Sequence, residues 1–289
     1  MIIVTGGTGL LGSQIVEQLL KRVPADRVGI SVRDPDRATG WAERGIRVRR
    51  GDFTDPRSLR ASFDGATQVL IVSTNQTGEA AAAAHRAAVD AARMAGAERI
   101  LYTSHQAAAA DSVFAPMPDH AATEHYLAST GAPFTALRNG FYASTIPLLL
   151  GSALETGELR APADGPVSWT AHADLAEAAA IILADESRFD GPTAPLTAPH
   201  ALDLDDIATL LTDLTGRTIR RVVIEDCEWT ETLVASGVPP ERAELLLGMF
   251  RAARRGEFST TAGALAYLLR RPTTPVGAVL STALSRPRY

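Results

Sequence analysis

The sequence predicts an α/β fold, in which a doubly wound parallel sheet carries a smaller, mostly helical C-terminal lobe. Three observations predict it. Short β-branched segments alternate with alanine- and leucine-rich segments over the first 140 residues, the first short segment leads directly into a glycine-rich loop, and helical patterns dominate after Asn139. Apolar strands separated by helices are typical of a parallel sheet covered on both faces. We therefore expect a first domain at residues 1–140 and a lobe at residues 141–289 whose strands return to the sheet.

Six segments of the first domain have the short, apolar, β-branched character of strands. They are Ile2–Thr5, Arg27–Val32, Ile46–Arg50, Gln68–Ser73, Arg99–Thr103 and Pro133–Leu137. The segments between them with helical character are Leu10–Arg22, Pro35–Arg44, Pro56–Phe63, Glu79–Ala95 and Ala121–Thr130. The run Ala80–Ala84 is assigned to a helix because alanine is the strongest helix former. Right-handed crossovers then place the helices on both faces of the sheet.

The C-terminal lobe is predicted to be mostly helical. Its candidate helices are Tyr142–Glu155, Ala173–Ala184, Asp203–Thr215, Glu228–Ser236 and Pro240–Arg255. Short strands are expected near Val167–Trp169, Ala194–Leu196 and Arg220–Glu225. Leucine and isoleucine recur at helical spacing within residues 203–215, which predicts an amphipathic helix that packs on a partner surface.

The composition excludes several classes of protein. The chain has 289 residues and a formal net charge of −5, which argues against a nucleic-acid-binding face because phosphate binding needs clustered positive charge. Cys227, the single cysteine, can form neither an internal disulfide nor a cysteine-rich metal site. No apolar run approaches the ~20 residues of a membrane span, and the start of the chain is typical of a strand rather than a signal peptide. We expect a cytoplasmic protein, monomeric or homodimeric, with no membrane or metal partner.

Lysine is almost absent from the chain. The 28 basic residues are 27 arginines and one lysine, Lys21. A mechanism that needs a lysine at any other position is therefore excluded. The richness in arginine and alanine is itself typical of a G+C-rich coding sequence and indicates no function.

The loop after the first strand predicts a dinucleotide site. Gly6, Gly9 and Gly12 permit a tight turn, close approach of the backbone to a diphosphate and close packing of the helix on the strand. Amide groups at the start of the helix would then face the anion. Residues 1–140 are thus expected to form an NAD(P)-binding Rossmann domain, with residues 141–289 as the substrate lobe. The loop residues predicted to bind cofactor are Gly6, Gly7, Thr8, Gly9, Leu10, Leu11 and Gly12.

The end of the second strand favours NADP(H) over NAD(H). NAD-binding proteins usually carry an acidic residue here that holds the ribose hydroxyls. This chain has Arg33, whose planar guanidinium suits a 2′-phosphate, followed by Asp34, which keeps NAD(H) as an alternative. An exposed arginine with no ligand is the other interpretation of Arg33.

Polar residues follow the next three strands, at the edge of the sheet where cofactors bind. Asp52 is expected to accept a hydrogen bond from adenine while Phe53 covers the ring, and nearby Asp55 is interpreted as a helix N-cap. The full set of cofactor contacts expected here is Asp52, Phe53, Ser73, Thr74, Asn75, Thr103 and Ser104.

The usual catalytic pair of this fold is missing. Many proteins of this fold use a serine at the end of the fifth strand and a Tyr-x-x-x-Lys pair on the following helix. Here Ala121 stands at the tyrosine position and His125 at the lysine position. His125 could hold a proton near neutral pH or bind ribose, and a helix-surface histidine is the equal alternative. His120 has the same two interpretations.

These motifs resemble the NmrA-like branch of the atypical short-chain dehydrogenases, and within it the bacterial NAD(P)H:quinone oxidoreductase and triphenylmethane reductase group. The most specific match is Leu137–Tyr142, Leu-Arg-Asn-Gly-Phe-Tyr, because it is not a general dinucleotide motif. The other matching segments are Thr5–Gly9, Leu11–Gly12, Lys21–Ala25, Val32–Pro35, Gly51–Phe53, Tyr102–Ser104, Ala122–Glu124 and Gly256–Ser259.

The resemblance implies an NADPH-bound fold with Arg33 on the adenosine phosphate. It implies that Ser73–Asn75 and the four residues Asn139, Gly140, Phe141 and Tyr142 flank the ribose and nicotinamide. Quinone reductases of the family carry a lysine after the glutamate equivalent to Glu124, where this chain has His125. The dye reductases also lack that lysine.

The expected function is an NADPH-dependent oxidoreductase that transfers hydride to a quinone or a similar conjugated or aromatic acceptor. Such acceptors take hydride without the proton donor that an unactivated ketone needs. The expected catalytic residues are Tyr142 and Asn139 for positioning and His125, or solvent, for the proton; Phe141 either stacks on the acceptor or packs in the core. The alternatives are an NADP(H)-sensing regulatory protein with little turnover and a tailoring reductase of aromatic natural products.

Overall fold

A computed structural model describes residues 1–185 and 189–285. The helices and strands of these residues follow one another in the alternating order that the sequence predicts. The strands are β1 (Ile2–Thr5), β2 (Val28–Val32), β3 (Arg47–Arg50), β4 (Gln68–Ile71), β5 (Arg99–His105), β6 (Phe134–Asn139), β7 (Glu158–Pro162), β8 (Gly191–Pro192) and β9 (Arg220–Ile224). The helices are α1 (Leu10–Leu19), α2 (Thr39–Glu43), α3 (Pro56–Phe63), α4 (Glu79–Met94), α5 (Pro116–Ser129), α6 (Ile146–Leu149), α7 (Ala153–Thr156), α8 (His172–Ala184), α9 (Leu204–Thr215), α10 (Asp226–Ala235), α11 (Pro240–Arg254), α12 (Ala264–Leu269) and α13 (Val276–Leu284).

Seven parallel strands form the main sheet, in the order β3-β2-β1-β4-β5-β6-β8. The direction of the strand order reverses between β1 and β4, and β1 pairs with β2 on one side and with β4 on the other. A crevice forms outside the carboxyl ends of the strands at such a reversal, and it is where ligands bind in open α/β sheets. The predicted doubly wound fold is confirmed, and the carboxyl edge between β1 and β4 is where we expect a ligand to bind.

Separate apolar clusters cover the two faces of the sheet, and a third fills the C-terminal lobe. Helix α8 packs along α1 on one face, so the second half of the chain also covers the sheet. The predicted amphipathic helix is α9, whose Leu204, Ile207 and Leu211 are buried in the cluster of the lobe. The division of the chain into two domains at residue 140 stays a prediction.

Two predicted elements differ from the structure because proline and glycine interrupt them. The predicted helix Tyr142–Glu155 is divided into short turns, α6 and α7, separated by Gly151, whose φ of +51° cannot continue a helix. The predicted strand Ala194–Leu196 is only an isolated bridge between Leu196 and Asn139, since Pro195 has no amide to extend the ladder. The pairing strand is β8 instead.

Other differences concern strands and helices that form only through tertiary contacts. The predicted strand Val167–Trp169 is an isolated antiparallel bridge between Val167 and Leu202. Strand β7, which the sequence pattern missed, pairs with the correctly expected β9 in a separate two-stranded sheet. Helices α12 and α13 were also missed. None of the helices in the described ranges combines the length and apolar character needed to cross a membrane.

Candidate functional site

The loop between β1 and α1 has the backbone geometry of a diphosphate cradle. Gly6 adopts a φ of +63°, which favours glycine. A Cβ atom on Gly12 would lie 2.3 Å from the carbonyl oxygen of Gly6, so α1 can approach the loop this closely only with glycine. The helix N-cap, Gly9, has no side chain to cap the first turn, which leaves its amide groups for an anion. These features fit the diphosphate of a dinucleotide.

The side chains of the loop agree with binding through the backbone. Thr8 and Leu10 are exposed, and Leu10 is 57% exposed despite being apolar. Leu11 is buried against the sheet, so only its amide faces the loop. The indole nitrogen of Trp41 donates to the carbonyl oxygen of Gly7 at 3.2 Å and braces the loop from α2. The structure therefore brings the predicted glycine-loop residues together.

Arg33 and Asp34 leave β2 in different environments. The Asp34 carboxylate accepts from the backbone amide of Asp36 at 3.2 Å and caps the short 3₁₀ turn Pro35–Ala38. Arg33 is exposed and makes no hydrogen bond or ion pair with another residue of the described chain. The charge next to β2 that remains available for a ligand is thus the guanidinium, which fits a 2′-phosphate better than ribose hydroxyls.

The carboxylate of Asp52 is held at the end of β3. The backbone amide and the hydroxyl of Thr54 donate to its Oδ1 at 2.9 and 2.7 Å. These hydrogen bonds lower the pKa of Asp52, so it is ionised at neutral pH and can accept from an adenine amino group. Phe53 is half-buried against the core beneath. Asp55 caps α3 by accepting from the Ser58 amide at 3.2 Å, as predicted.

The ends of β4 and β5 are tied together beneath the crevice. The Thr103 hydroxyl accepts from the Ser73 amide at 2.8 Å and donates to the Ser73 hydroxyl at 3.1 Å. Thr74 is half-buried and Asn75 is exposed. Thr103 is 1% exposed, so its side chain orders the strand end, while Ser73 to Asn75 border the crevice.

Ser104 cannot polarise a substrate carbonyl in the way that the usual serine of this fold does. It is buried and its hydroxyl donates to Glu124 Oε1 at 2.6 Å. Arg138 donates to the same carboxylate through Nε at 3.0 Å and Nη2 at 2.6 Å. The hydroxyl proton of Ser104 is thus donated to the buried carboxylate of Glu124. We therefore assign Ser104 to the support of the β5 and β6 ends rather than to cofactor contact.

Asn139 and Tyr142 form the polar end of the crevice beside β6. Asn139 is 2% exposed, and its Oδ1 atom has no hydrogen-bond partner in the described part of the chain. Burial raises the pKa of the Tyr142 hydroxyl, and a hydrogen bond from the Asn139 side chain opposes that rise. A buried acceptor with no partner is rare in native proteins and indicates a ligand or water that donates to it. The carboxamide of a nicotinamide supplies such a donor.

Phe141 and Gly140 are placed by packing rather than by exposure to a ligand. Phe141 is 8% exposed, and its ring centroid lies 4.9 Å from Phe258 and 5.3 Å from Trp169. An aromatic cluster covers the ring, so Phe141 packs in the core, which was the alternative interpretation of this residue. A Cβ atom on Gly140 would lie 2.2 Å from the Thr170 hydroxyl, so glycine is needed for this close crossing.

His125 lies on an exposed face of α5. His125 is exposed, whereas Thr123 and Glu124 are the α5 residues buried against the sheet. An exposed histidine on a helix surface was the alternative interpretation of His125, and it agrees with this exposure. A role for His125 as proton source or ribose anchor stays a prediction.

A cluster of histidines that the sequence reasoning did not assemble lies beneath the crevice. Tyr102 places its hydroxyl 2.7 Å from His120 Nδ1 and 3.4 Å from His85 Nδ1, and His105 stacks on His120 with ring centroids 6.2 Å apart. Burial lowers the pKa of His85 to about 4 and of His105 to about 3. One signal was visible: His85 interrupts the alanine-rich buried face of α4.

The tautomer of His85 follows from its partners. The Thr74 amide donates to His85 Nε2 at 3.1 Å, so the proton of the neutral ring is on Nδ1. Nδ1 then donates to the Thr123 hydroxyl at 2.9 Å. Within residues 1–185 and 189–285, no group of three acidic, histidine or cysteine side chains is placed to hold a metal ion.

Acidification is expected to destabilise the protein through His85. Its pKa is about 4 when folded and about 6.5 in an unfolded chain, so below pH 7 the unfolded state binds more protons. The free energy of unfolding therefore falls between pH 7 and 4, by about 3 kcal/mol for this group, and is unaffected by it above pH 7. Urea unfolding across this range should show a shallower pH slope in His85→Gln than in the exposed-site control His200→Gln; equal slopes would contradict the assignment.

Comparisons with known proteins agree along nearly the whole chain. Residues 1–272 match the model of the NmrA-like family. Quinone oxidoreductase 2 of Escherichia coli (strain K12) is 32% identical over 284 residues, 97% of this chain and 98% of that protein. The structure of an NADPH-dependent quinone oxidoreductase of Escherichia coli complexed with NADPH is similar with a TM-score of 0.92, 31% identity and coverage of 99% of this chain and 100% of that chain. Triphenylmethane reductase of Citrobacter sp., complexed with NADP(H), gives a TM-score of 0.90, 31% identity and coverage of 98% and 100%.

Proposed function

The chain belongs to the NmrA-like family, and from this premise we propose that it is an NADPH-dependent oxidoreductase that transfers hydride to a quinone or a similar conjugated acceptor. One observation carries the proposal: the buried Oδ1 of Asn139, which has no hydrogen-bond partner among the described residues, lies at the same sheet edge as the glycine cradle. A nicotinamide dinucleotide has a diphosphate at one end of this span and a carboxamide donor at the other.

Each part of the cofactor has a matching group in the chain. The amides of Gly9 to Gly12 would hold the diphosphate, Arg33 the 2′-phosphate, Asp52 the adenine amino group, and Asn139 the carboxamide. When bound, NADPH supplies the hydride. The chain itself binds and orients the ring and keeps water from it, since Asn139 and Phe141 are buried at that end of the crevice.

The acceptor must be activated by its own electronic structure. The chain has no Tyr-x-x-x-Lys pair, the Ser104 hydroxyl donates to Glu124, and His125 is exposed to solvent. An unactivated ketone needs an acid at the moment of hydride transfer, whereas a quinone accepts hydride and takes its proton afterwards. We therefore propose solvent as the final proton source.

Turnover with NADPH tests the proposal directly. The purified protein should oxidise NADPH in the presence of 1,4-benzoquinone, several times faster than without acceptor, and reduce the quinone mole for mole. A tight NADPH complex with no oxidation across several quinones and cationic dyes would refute the reductase and favour an NADP(H)-sensing protein.

We further propose that the protein is cytoplasmic. We also propose that residues 1–140 bind the cofactor and residues 141–289 hold the acceptor.

Arg33→Ala is expected to weaken NADPH binding about 10- to 100-fold and to change NADH binding less than about twofold. The reason is the loss of charge-assisted hydrogen bonds to the 2′-phosphate, which contribute about 1.5–3 kcal/mol. Fluorescence titration with both cofactors measures the two dissociation constants. Arg27→Ala, which removes the same charge at the opposite end of β2, is the matched control. Equal effects of Arg33→Ala on the two cofactors would exclude the phosphate contact.

A further inference from the structure

His105 occupies a position that the proposed function does not yet use. It is the last residue of β5 and pairs in register with Asn139, the last residue of β6. The Gln106 amide donates to the Asn139 carbonyl oxygen at 2.8 Å, which fixes the two strand ends side by side. His105 therefore lies next to the residue that we assign to the nicotinamide carboxamide.

The hydrogen bonding of His105 determines which nitrogen carries its proton. The backbone amide of Ala107 donates to Nδ1 at 3.1 Å, and an amide can only donate. Nδ1 is therefore the bare nitrogen, and the neutral ring carries its hydrogen on Nε2. That N–H has no hydrogen-bond partner elsewhere in the described residues. Burial keeps the ring neutral, because it lowers the pKa of His105 to about 3.

Packing fixes the direction of the ring. The rings of Phe141 and Phe258 lie nearly perpendicular to it at centroid distances of 5.5 and 5.7 Å, and His120 stacks on it at 6.2 Å. His105 is 9% exposed, which leaves only a small opening. A donor whose orientation is set before the ligand arrives stabilises developing charge without reorganisation.

We propose that His105 donates its Nε2–H to the oxygen of a carbonyl-type acceptor and thereby makes the enzyme selective for quinones over cationic triphenylmethane dyes. The inference rests on the proposed function and names the acceptor class for it. His105 acts as a hydrogen-bond donor and keeps its own proton throughout.

The chemistry of the two acceptors explains the selectivity. A quinone takes two electrons and one hydrogen from NADPH as hydride, which leaves a hydroquinone anion with its charge on oxygen and NADP⁺; a proton from solvent completes the hydroquinone. A triphenylmethane cation takes the same hydride on its central carbon and becomes a neutral leuco dye, with no charged oxygen and no proton required. The Nε2–H can stabilise only the first product.

His105→Leu separates the two reactions. We expect kcat/KM for 1,4-benzoquinone to fall about 100- to 1,000-fold, as when one oxyanion donor is removed, while kcat/KM for malachite green and the Kd for NADPH each change less than about twofold. His105→Gln, whose side-chain amide restores an N–H donor at a similar distance, should recover quinone turnover to within about fivefold of wild type. His200→Leu, at an exposed histidine, should change neither reaction.

The outcomes distinguish the inference from the function beneath it. Equal losses with quinone and dye, or a loss that His105→Gln does not recover, would show that His105 only maintains packing and would overturn the inference. An unchanged quinone rate in His105→Leu would overturn it as well. A wild-type protein that binds NADPH but reduces neither acceptor would instead refute the proposed function, and the inference with it.

Discussion

Gly12→Ala is expected to weaken NADPH binding on the order of 100-fold. The new Cβ atom would lie 2.3 Å from the carbonyl oxygen of Gly6, 2.8 Å from its carbon and 3.3 Å from the amide of Gly7. All three are backbone atoms, so the clash cannot be relieved by turning a side chain. The start of α1 must move away from the loop, at about 2–3 kcal/mol, and its amides then no longer converge on the diphosphate.

The measurement is a fluorescence titration of NADPH into the folded variant, with thermal unfolding as the check on folding. Gly40→Ala is the matched control, because a Cβ atom there meets nothing within 4 Å on the exposed surface of α2. It should bind NADPH like the wild type. Binding by Gly12→Ala within about threefold of the control would mean that the loop does not hold the diphosphate.

The parts of the fold that depend on local chemistry were predictable from the sequence. The strand Ile2–Thr5 and the helix Pro56–Phe63 have the predicted bounds, since the first is bounded by the glycine loop and the second begins at a proline after a capping Asp55. Strands β5 and β6 run two residues further than predicted, to His105 and Asn139. Those residues are polar or titratable, and only pairing with the neighbouring strand reveals them as strand.

The candidate site divides in the same way. The conformation of the glycine loop was predictable from its glycines, and the exposed position of Arg33 was predictable from its place at a strand end. The histidine cluster was not, since α4, β5 and α5 bring His85, His105 and His120 together over separations that no local pattern encodes. His125 was chosen by sequence position alone, and a helix turns 100° per residue, so its neighbour Glu124 faces inward instead.

Glu124→Leu is expected to lower the free energy of unfolding by about 3 kcal/mol. Glu124 is 7% exposed and accepts from Ser104 at 2.6 Å and from two nitrogens of Arg138. Leucine leaves the Ser104 hydroxyl buried without a partner and the Arg138 guanidinium without a counter-ion. Removing one member of a buried pair costs about 3–5 kcal/mol, and we expect the lower end because the Arg138 side chain is 33% exposed and reaches water.

Urea unfolding at neutral pH measures this change, with Glu79→Leu as the matched control. Glu79 also pairs with an arginine, Arg86, at 2.6 Å, but its side chain is 83% exposed. An exposed pair contributes about 1 kcal/mol or less because water screens both charges, so the two variants isolate the effect of burial. Similar losses in both would show that Glu124 is not a structural link. The larger loss expected for Glu124→Leu would show that Ser104, although it occupies the usual catalytic position of this fold, has a structural role here. The Ser104 hydroxyl donates to the Glu124 carboxylate, which joins the ends of β5 and β6 next to His105 and Asn139.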